Sequence, residues 1–84
     1  MNDRVFFDGN DGDAENGYAL VFEDSLADLG RIGDRLKPGL VVTLYWPGEL
    51  EVEAVLERGS YFDTPCWLGV PIGPFKLMGL TVEA

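Results

Sequence analysis

The sequence predicts a single mainly-β domain over residues 1–84, an α+β fold built on a small SH3-like barrel or a strongly bent antiparallel sheet. Three observations support this prediction. Short apolar runs alternate with Pro- and Gly-containing turns over 39–82, one helical period occurs over 25–36, and the chain is shorter than the roughly 150 residues above which chains usually divide. The term SH3-like describes strand order by analogy and implies no function.

The first two strands are predicted to form an N-terminal β-hairpin. Residues 4–8 are rich in aromatic side chains, and residues 18–23 place apolar side chains on one face at a period of two. The intervening residues 9–17 are turn formers that also carry repelling carboxylates. Because this stretch is too long for a tight hairpin turn, it predicts a mobile loop.

One helix is predicted over 25–36. Its apolar face consists of residues that recur every three or four positions, namely Leu26, Leu29, Ile32 and Leu36. Ser25 is the predicted N-cap, and Asp28 takes the position of the capping-box carboxylate three residues later. Pro38 and Gly39 end the helix.

Sequential antiparallel strands are predicted for the second half of the chain. Strands 40–46 and 50–57 are joined by a type II turn with Pro47 and Gly48 at its centre. A turn at 58–60, a strand at 65–70, a bend at 71–74 and a last strand at 75–82 complete the meander. Such strands are expected to curl together, since an isolated hairpin is only marginally stable.

The composition excludes several classes of chemistry. There is no His and a single Cys, so neither a Ser-His-Asp or Cys-His nucleophile nor the common zinc sites can form. Fifteen acidic against six basic residues give a net charge of −9, which disfavours direct binding to nucleic acid or to anionic membranes. Neither an enzyme nor a cofactor is predicted, because so small a chain has little volume for a deep cleft.

The sequence also predicts the cellular location of the protein and the burial of its one thiol. The N-terminus lacks an apolar segment of the secretory type, and a lone Cys suits a reducing compartment, so a cytoplasmic protein is expected. Cys66 lies in an apolar run and is predicted to be a buried structural thiol. The loop from Asp8 to Glu15 is dense in oxygen donors, but it fails the EF-hand register, and solvation is preferred to cation binding.

An acidic face is predicted for strand 50–57. Its even-numbered residues are apolar, while Glu51 and Glu53, preceded by Glu49, lie on the opposite face about 7 Å apart. Two interpretations remain: a solvated face that discourages aggregation, or a surface that steers a basic partner. The second gains support from charge localisation, since residues 38–57 hold four acids and no base.

Two aromatic residues near this row are candidate anchors. Tyr45 and Tyr61 could contact a partner directly, because Tyr is favoured at interface hot spots, or they could cover the second face of the sheet. The predicted function is a non-catalytic small acidic protein of inhibitor, immunity or adaptor type that binds a basic protein through Glu49, Glu51, Glu53, Tyr45 and Tyr61. The alternative is an assembly or scaffold subunit that forms a homo-oligomer through a sheet edge or an apolar patch.

Overall fold

A seven-stranded mixed sheet and one helix make up residues 2–77, the part of the chain that the computed structural model describes. The strands are β1 (Asp3–Phe6), β2 (Gly12–Asp13), β3 (Gly17–Ala19), β4 (Val41–Trp46), β5 (Leu50–Tyr61), β6 (Thr64–Pro71) and β7 (Lys76–Leu77). The helix α1 (Glu23–Ile32) continues into a short 3-10 turn (Gly33–Arg35). The fold is therefore mainly β with one short helix, as predicted.

The sheet is centred on β5 and is not closed into a barrel. Its strand order is β1-β4-β5-β6-β3-β2, and β7 pairs with β5 beyond the end of β6. Phe7, directly after β1, nevertheless contacts Tyr18 of β3 with ring centroids 5.0 Å apart. Since these strands lie far apart in the strand order, this contact requires a strongly bent sheet.

The alternation predicted for β5 is confirmed. Val52, Ala54 and Leu56 are buried, whereas the residues between them are half-buried or exposed. The buried set packs with apolar side chains from β1, β4 and α1 into one core. This core defines two sides of the sheet: a core face and an outer face.

The hairpin between β4 and β5 is also confirmed. Trp46 pairs with Leu50, and the N–H of Glu49 donates to the Trp46 carbonyl at 2.9 Å. Gly48 has φ +76, the positive value that a type II turn requires at its third position. Pro47 and Gly48 therefore set the register of β4 and β5 locally.

The predicted N-terminal hairpin of 4–8 with 18–23 is wrong in its pairing. β1 runs parallel to β4, with Val5 opposite Leu44, and β3 pairs with β6 instead. The hairpin present in this region is the short β2–β3 pair. A period-two pattern identifies a strand but not its partner, and the parallel pairing buries Val5 and Phe7 completely.

The helix starts and ends earlier than predicted, at Glu23 and Ile32, and only part of its predicted apolar face is buried. Phe22 is the N-cap and has no capping side chain, so Ser25 does not cap the helix. Ser25 is fully buried, whereas Leu26 is 56% exposed. The buried face consists of Ser25, Asp28, Leu29 and Ile32. The physical reason lies in β1, because the helix supplies polar partners to the Phe6 backbone.

The turn predicted at 58–60 is wrong, because β5 continues to Tyr61. The chain reverses at Phe62 and Asp63, whose φ values of +51 and +65 are those of a primed hairpin turn. Gly59 lies inside the strand, where an added Cβ would meet Leu68 Cδ1 at 2.5 Å. This glycine therefore permits close packing and does not form a turn.

The bend predicted at 71–74 separates β6 from β7, and both strands border the same edge of β5. The N–H of Ile72 donates to the Glu53 carbonyl at 2.8 Å, which keeps the bend against β5. Only the beginning of the predicted last strand lies in the described part, as β7. Residues 78–82 of that prediction lie outside the described residues.

Candidate partner-binding surface

The outer face brings together three of the five predicted site residues, Tyr45, Glu51 and Glu53. Its side chains follow from the strand register across β1, β4, β5 and β6. Residues on this face include Arg4, Val41, Thr43, Tyr45, Glu51, Glu53, Val55, Glu57 and Val70. Because the long strand β5 crosses this face, its odd-numbered residues occupy the centre.

Glu51 is compensated by basic groups of the same chain. It lies opposite Tyr45 on β4, and the Arg4 guanidinium approaches within 3.1 Å of Glu51 Oε1. The same guanidinium lies 4.9 Å from the centroid of the Tyr45 ring. On the other side of β5, Lys76 is the register partner of Glu51. Glu51 is therefore paired with Arg4 in a cluster that includes Tyr45.

Glu53 differs from Glu51 in having a neutral hydrogen-bond partner. Its Oε2 accepts a hydrogen bond from Asn2 Nδ2 at 3.1 Å, and none of the ion pairs within residues 2–77 includes it. Glu57 lies four residues farther along β5 on the same face. It is exposed and likewise has no ion pair in that part of the chain. Glu49 lies in the turn before β5 and is exposed. The three predicted glutamates therefore do not form one continuous strip.

A stripe of three valines separates Glu53 from Glu57. Val41 pairs with Val55, and Val55 pairs with Val70, so their side chains cross three adjacent strands on the outer face. Val41 is 38% exposed and the other two are half-buried. This valine stripe was missed because Val55 interrupts the acidic row in the sequence. The turn at Pro47-Gly48 already makes Val41 and Val55 register partners. The pairing of Val70 with Val55 depends on the β5–β6 turn, which the sequence placed at 58–60 and not at 62–63.

Tyr45 is held by the helix and is not a free anchor. Its hydroxyl donates to Asp28 Oδ2 at 2.9 Å, and the ring packs edge-on against Phe6. Burial, followed by the hydrogen bond to the Asp28 carboxylate, raises the pKa of Tyr45. Tyr45 thus joins β4 to α1 and presents only part of its ring, beneath Arg4, to the outer face.

Tyr61 lies at the other end of β5. It is ten positions from Glu51, which corresponds to about 33 Å along an extended strand. Its hydroxyl donates to Asp11 Oδ1 at 2.5 Å, and this bond raises the pKa of Tyr61. The structure therefore brings together Tyr45, Glu51 and Glu53, and it separates Tyr61 from them.

A shallow depression lies beside Glu53. It encloses about 290 Å³ and is lined by Thr43, Glu51, Glu53, Pro74 and Lys76, among others. The carboxylates of Glu51 and Glu53 and the hydroxyl of Thr43 belong to this lining, and such oxygens can hydrogen-bond an ammonium or guanidinium group. The arrangement suits the insertion of one basic side chain next to the valine stripe.

In the loop from Asp8 to Glu15, two carboxylates accept hydrogen bonds from nearby backbone N–H groups. Asp8 accepts the N–H of Asn10 at 2.8 Å, and Asp13 accepts the N–H groups of Glu15 and Asn16. The hydrogen bonds from Asn16 hold the pKa of Asp13 below its ordinary value. These Asx turns account for the loop composition. Within residues 2–77, no three Cys, Asp or Glu side chains are grouped as metal ligands.

Across residues 2–77, no helix combines the length and apolar character needed to cross a bilayer. Comparison of the chain with protein-family models, with curated proteins and with solved structures gives no match.

Proposed function

We propose that this chain is a non-catalytic binding protein whose outer face engages a basic protein partner. The observation that carries this proposal is the valine stripe, flanked on β5 by Glu53 and Glu57, neither of which is in an ion pair within the described residues. An apolar centre with charged residues at its border is the arrangement of protein interfaces.

The residues of this surface suit a partner with apolar and basic side chains. Apolar side chains of the partner would cover Val41, Val55 and Val70, and Lys or Arg residues on either side would meet Glu53 and Glu57. The depression next to Glu53 would take one of these basic side chains. Charge complementarity of this kind raises association rates and makes binding depend on salt.

The five predicted residues have different roles at this surface. Glu51 is neutralised by Arg4, so its function is to order the cluster around Tyr45. Glu49 contributes long-range negative potential from the turn. Glu53 and the valine stripe make the direct contacts, and Tyr61 lies outside this surface.

The test is capture of partners from native lysate by three forms of the protein, at low and at high salt. The variant Glu53→Lys with Glu57→Lys reverses the flanking charges. The control Glu23→Lys with Asp24→Lys makes the same change in net charge at the exposed start of α1. We expect a basic protein that binds the wild type and the control, is released by salt, and is lost with the first variant.

Direct measurement with the purified captured protein then decides the site. Val55→Asp should weaken its binding at least tenfold, whereas Val55→Thr, which keeps the shape, should have a smaller effect. Equal loss with both double variants would mean that only net charge matters and would contradict a site on the outer face. Self-association that persists in high salt and is abolished by Val55→Asp would instead support the assembly-subunit alternative.

A further inference from the structure

A second concave surface lies at the opposite end of the sheet, between the start of α1 and the β5–β6 hairpin. It encloses about 310 Å³. We name it the Trp67 groove, after the ring that forms its wall, and its principal lining residues are Val21, Leu26, Arg58, Pro65, Cys66 and Trp67. This volume is near the lower limit of roughly 300 Å³ for small-molecule pockets.

The lining of the groove is unlike the rest of the surface. The chain has fifteen Asp and Glu residues, yet none of those within residues 2–77 lines this concavity, which is mainly apolar. Among the described lining residues, the single charged side chain is Arg58. The groove therefore presents a basic group in a protein of net charge −9.

Arg58 differs from the other arginines. Arg4, Arg31 and Arg35 each bind a carboxylate of the chain, whereas Arg58 has no such partner within residues 2–77. Its guanidinium lies 4.8 Å from the centroid of the Trp67 ring, directly across the β5–β6 pair. Stacking on the ring holds the planar group at the groove and leaves its N–H donors available to an anion.

Within residues 2–77, the apolar side of the groove is also without cover. Leu26 is 56% exposed, although Leu29 and Ile32 of the same helix are buried. Cys66 is 7% exposed and provides an apolar floor. Burial raises the pKa of the Cys66 thiol, so this floor stays uncharged.

We infer that the Trp67 groove binds a small monocarboxylate with an apolar tail, whose carboxylate pairs with Arg58 and whose tail lies between Leu26 and Trp67. The charge and shape of the groove both support this assignment. A bidentate pair between guanidinium and carboxylate fixes the head group, and apolar area removed from water stabilises the tail. This site is separate from the outer face, and the inference does not rest on the proposed protein partner.

The test uses octanoate as the probe and nuclear magnetic resonance of the wild-type protein. Octanoate is expected to shift the indole N–H resonance of Trp67 and the amide of Leu26, while the indole of Trp46 stays unchanged. Octanamide, which has the same tail without the charge, should bind about tenfold more weakly because the charge-assisted pair is lost. Absence of any Trp67 shift at millimolar octanoate would overturn the inference.

Two variants and a control separate head-group from tail recognition. Arg58→Gln should reduce octanoate affinity about tenfold, to the level of octanamide. Lys37→Gln makes the same change in net charge at an exposed position and should have no effect. Leu26→Asn, on the helix surface, should weaken octanoate and octanamide alike. Equal affinities of the Arg58 and Lys37 variants would also overturn the inference, because the charge of Arg58 would then have no role.

Discussion

The carboxylate of Asp28 on α1 accepts the backbone N–H of Phe6 on β1 at 2.9 Å. Three residues earlier on the same helix, the Ser25 hydroxyl donates to the Phe6 carbonyl at 2.7 Å. The backbone N–H and carbonyl of Phe6 point away from β4, whereas the N–H of the next residue, Phe7, donates to the Tyr45 carbonyl of β4. Two helix side chains therefore satisfy β1 where another strand would otherwise pair, and this protects the edge from aggregation.

Removal of these two side chains should have unequal effects on stability. Asp28→Ala leaves the Phe6 N–H and the Tyr45 hydroxyl without their partner, and should cost about 2–3 kcal/mol. Ser25→Ala loses one hydrogen bond and should cost about 1 kcal/mol. Urea denaturation measures both, with the exposed Asp24→Ala as the control. An Asp28 variant as stable as this control would contradict the role of Asp28 at the strand edge.

Two glycine substitutions should change stability in opposite directions. A Cβ on Gly69 would meet Leu44 Cδ1 at 2.8 Å, and Leu44 is completely buried, so Gly69→Ala should cost about 1–3 kcal/mol. Gly30 in α1 has nothing within 4 Å of such a Cβ, and Gly30→Ala should stabilise by about 0.5–1 kcal/mol. Thermal melts of the two variants check the signs. A Gly69 variant that is as stable as the wild type would contradict this prediction, because Leu44 would then be able to move away from the added methyl group.

A substitution in the turn at Phe62 and Asp63 should stabilise the protein. Both residues have positive φ, and the Phe62 side chain is 85% exposed. Replacement of the pair by Asn-Gly, which suits this backbone, should raise stability by about 1 kcal/mol. The melting temperature measures the gain, and the reversed order Gly-Asn serves as a comparison. A lower melting temperature for Asn-Gly would mean that Phe62 stabilises the hairpin through its 4.5 Å ring contact with Tyr61.

The hydrogen bond between Tyr61 and Asp11 predicts a specific dependence on pH. The bond to the Asp11 carboxylate raises the pKa of Tyr61 above its ordinary value of 10.0. The folded protein thus holds this proton more tightly than the unfolded chain, so the stabilisation is fully present below pH 10.0 and is lost as the pH rises through the higher folded pKa.

Nuclear magnetic resonance of ring-labelled tyrosine measures this titration for each residue. Asp11→Asn should move the pKa of Tyr61 back towards 10.0, since the negative acceptor is lost. Asp13→Asn is the matched control, because Asp13 acts on Tyr18 and not on Tyr61. A Tyr61 midpoint that is the same in the wild type and in the Asp11 variant would contradict the hydrogen bond.

Part of the candidate surface could be predicted because its causes are local. Pro47 and Gly48 have the dihedral preferences of one turn type, and this turn makes Val41 the partner of Val55. The side chain of Glu53 must then face away from the core wherever Val52 and Ala54 are buried. Neither inference needs information from distant parts of the chain.

The remaining features depend on contacts between residues far apart in the sequence. Ser25 has the composition of an N-cap, but it binds the backbone of Phe6, nineteen residues earlier. The pairing of β1 with β4 in turn places Arg4 next to Glu51 and neutralises it. A residue type limits which bonds a side chain can form, and the packed structure selects the partner among them.

The amino-acid sequence by itself determined the mainly-β character, the central hairpin and the two faces of β5, because turn chemistry and a period of two act within a few residues. Only the tertiary structure decided that β1 pairs in parallel with β4, that Leu26 stays exposed, and that Arg58 stacks on Trp67 without a carboxylate partner in the described part of the chain. These outcomes follow from burial of the core across strands distant in sequence, where the free energy of packing outweighs local preference.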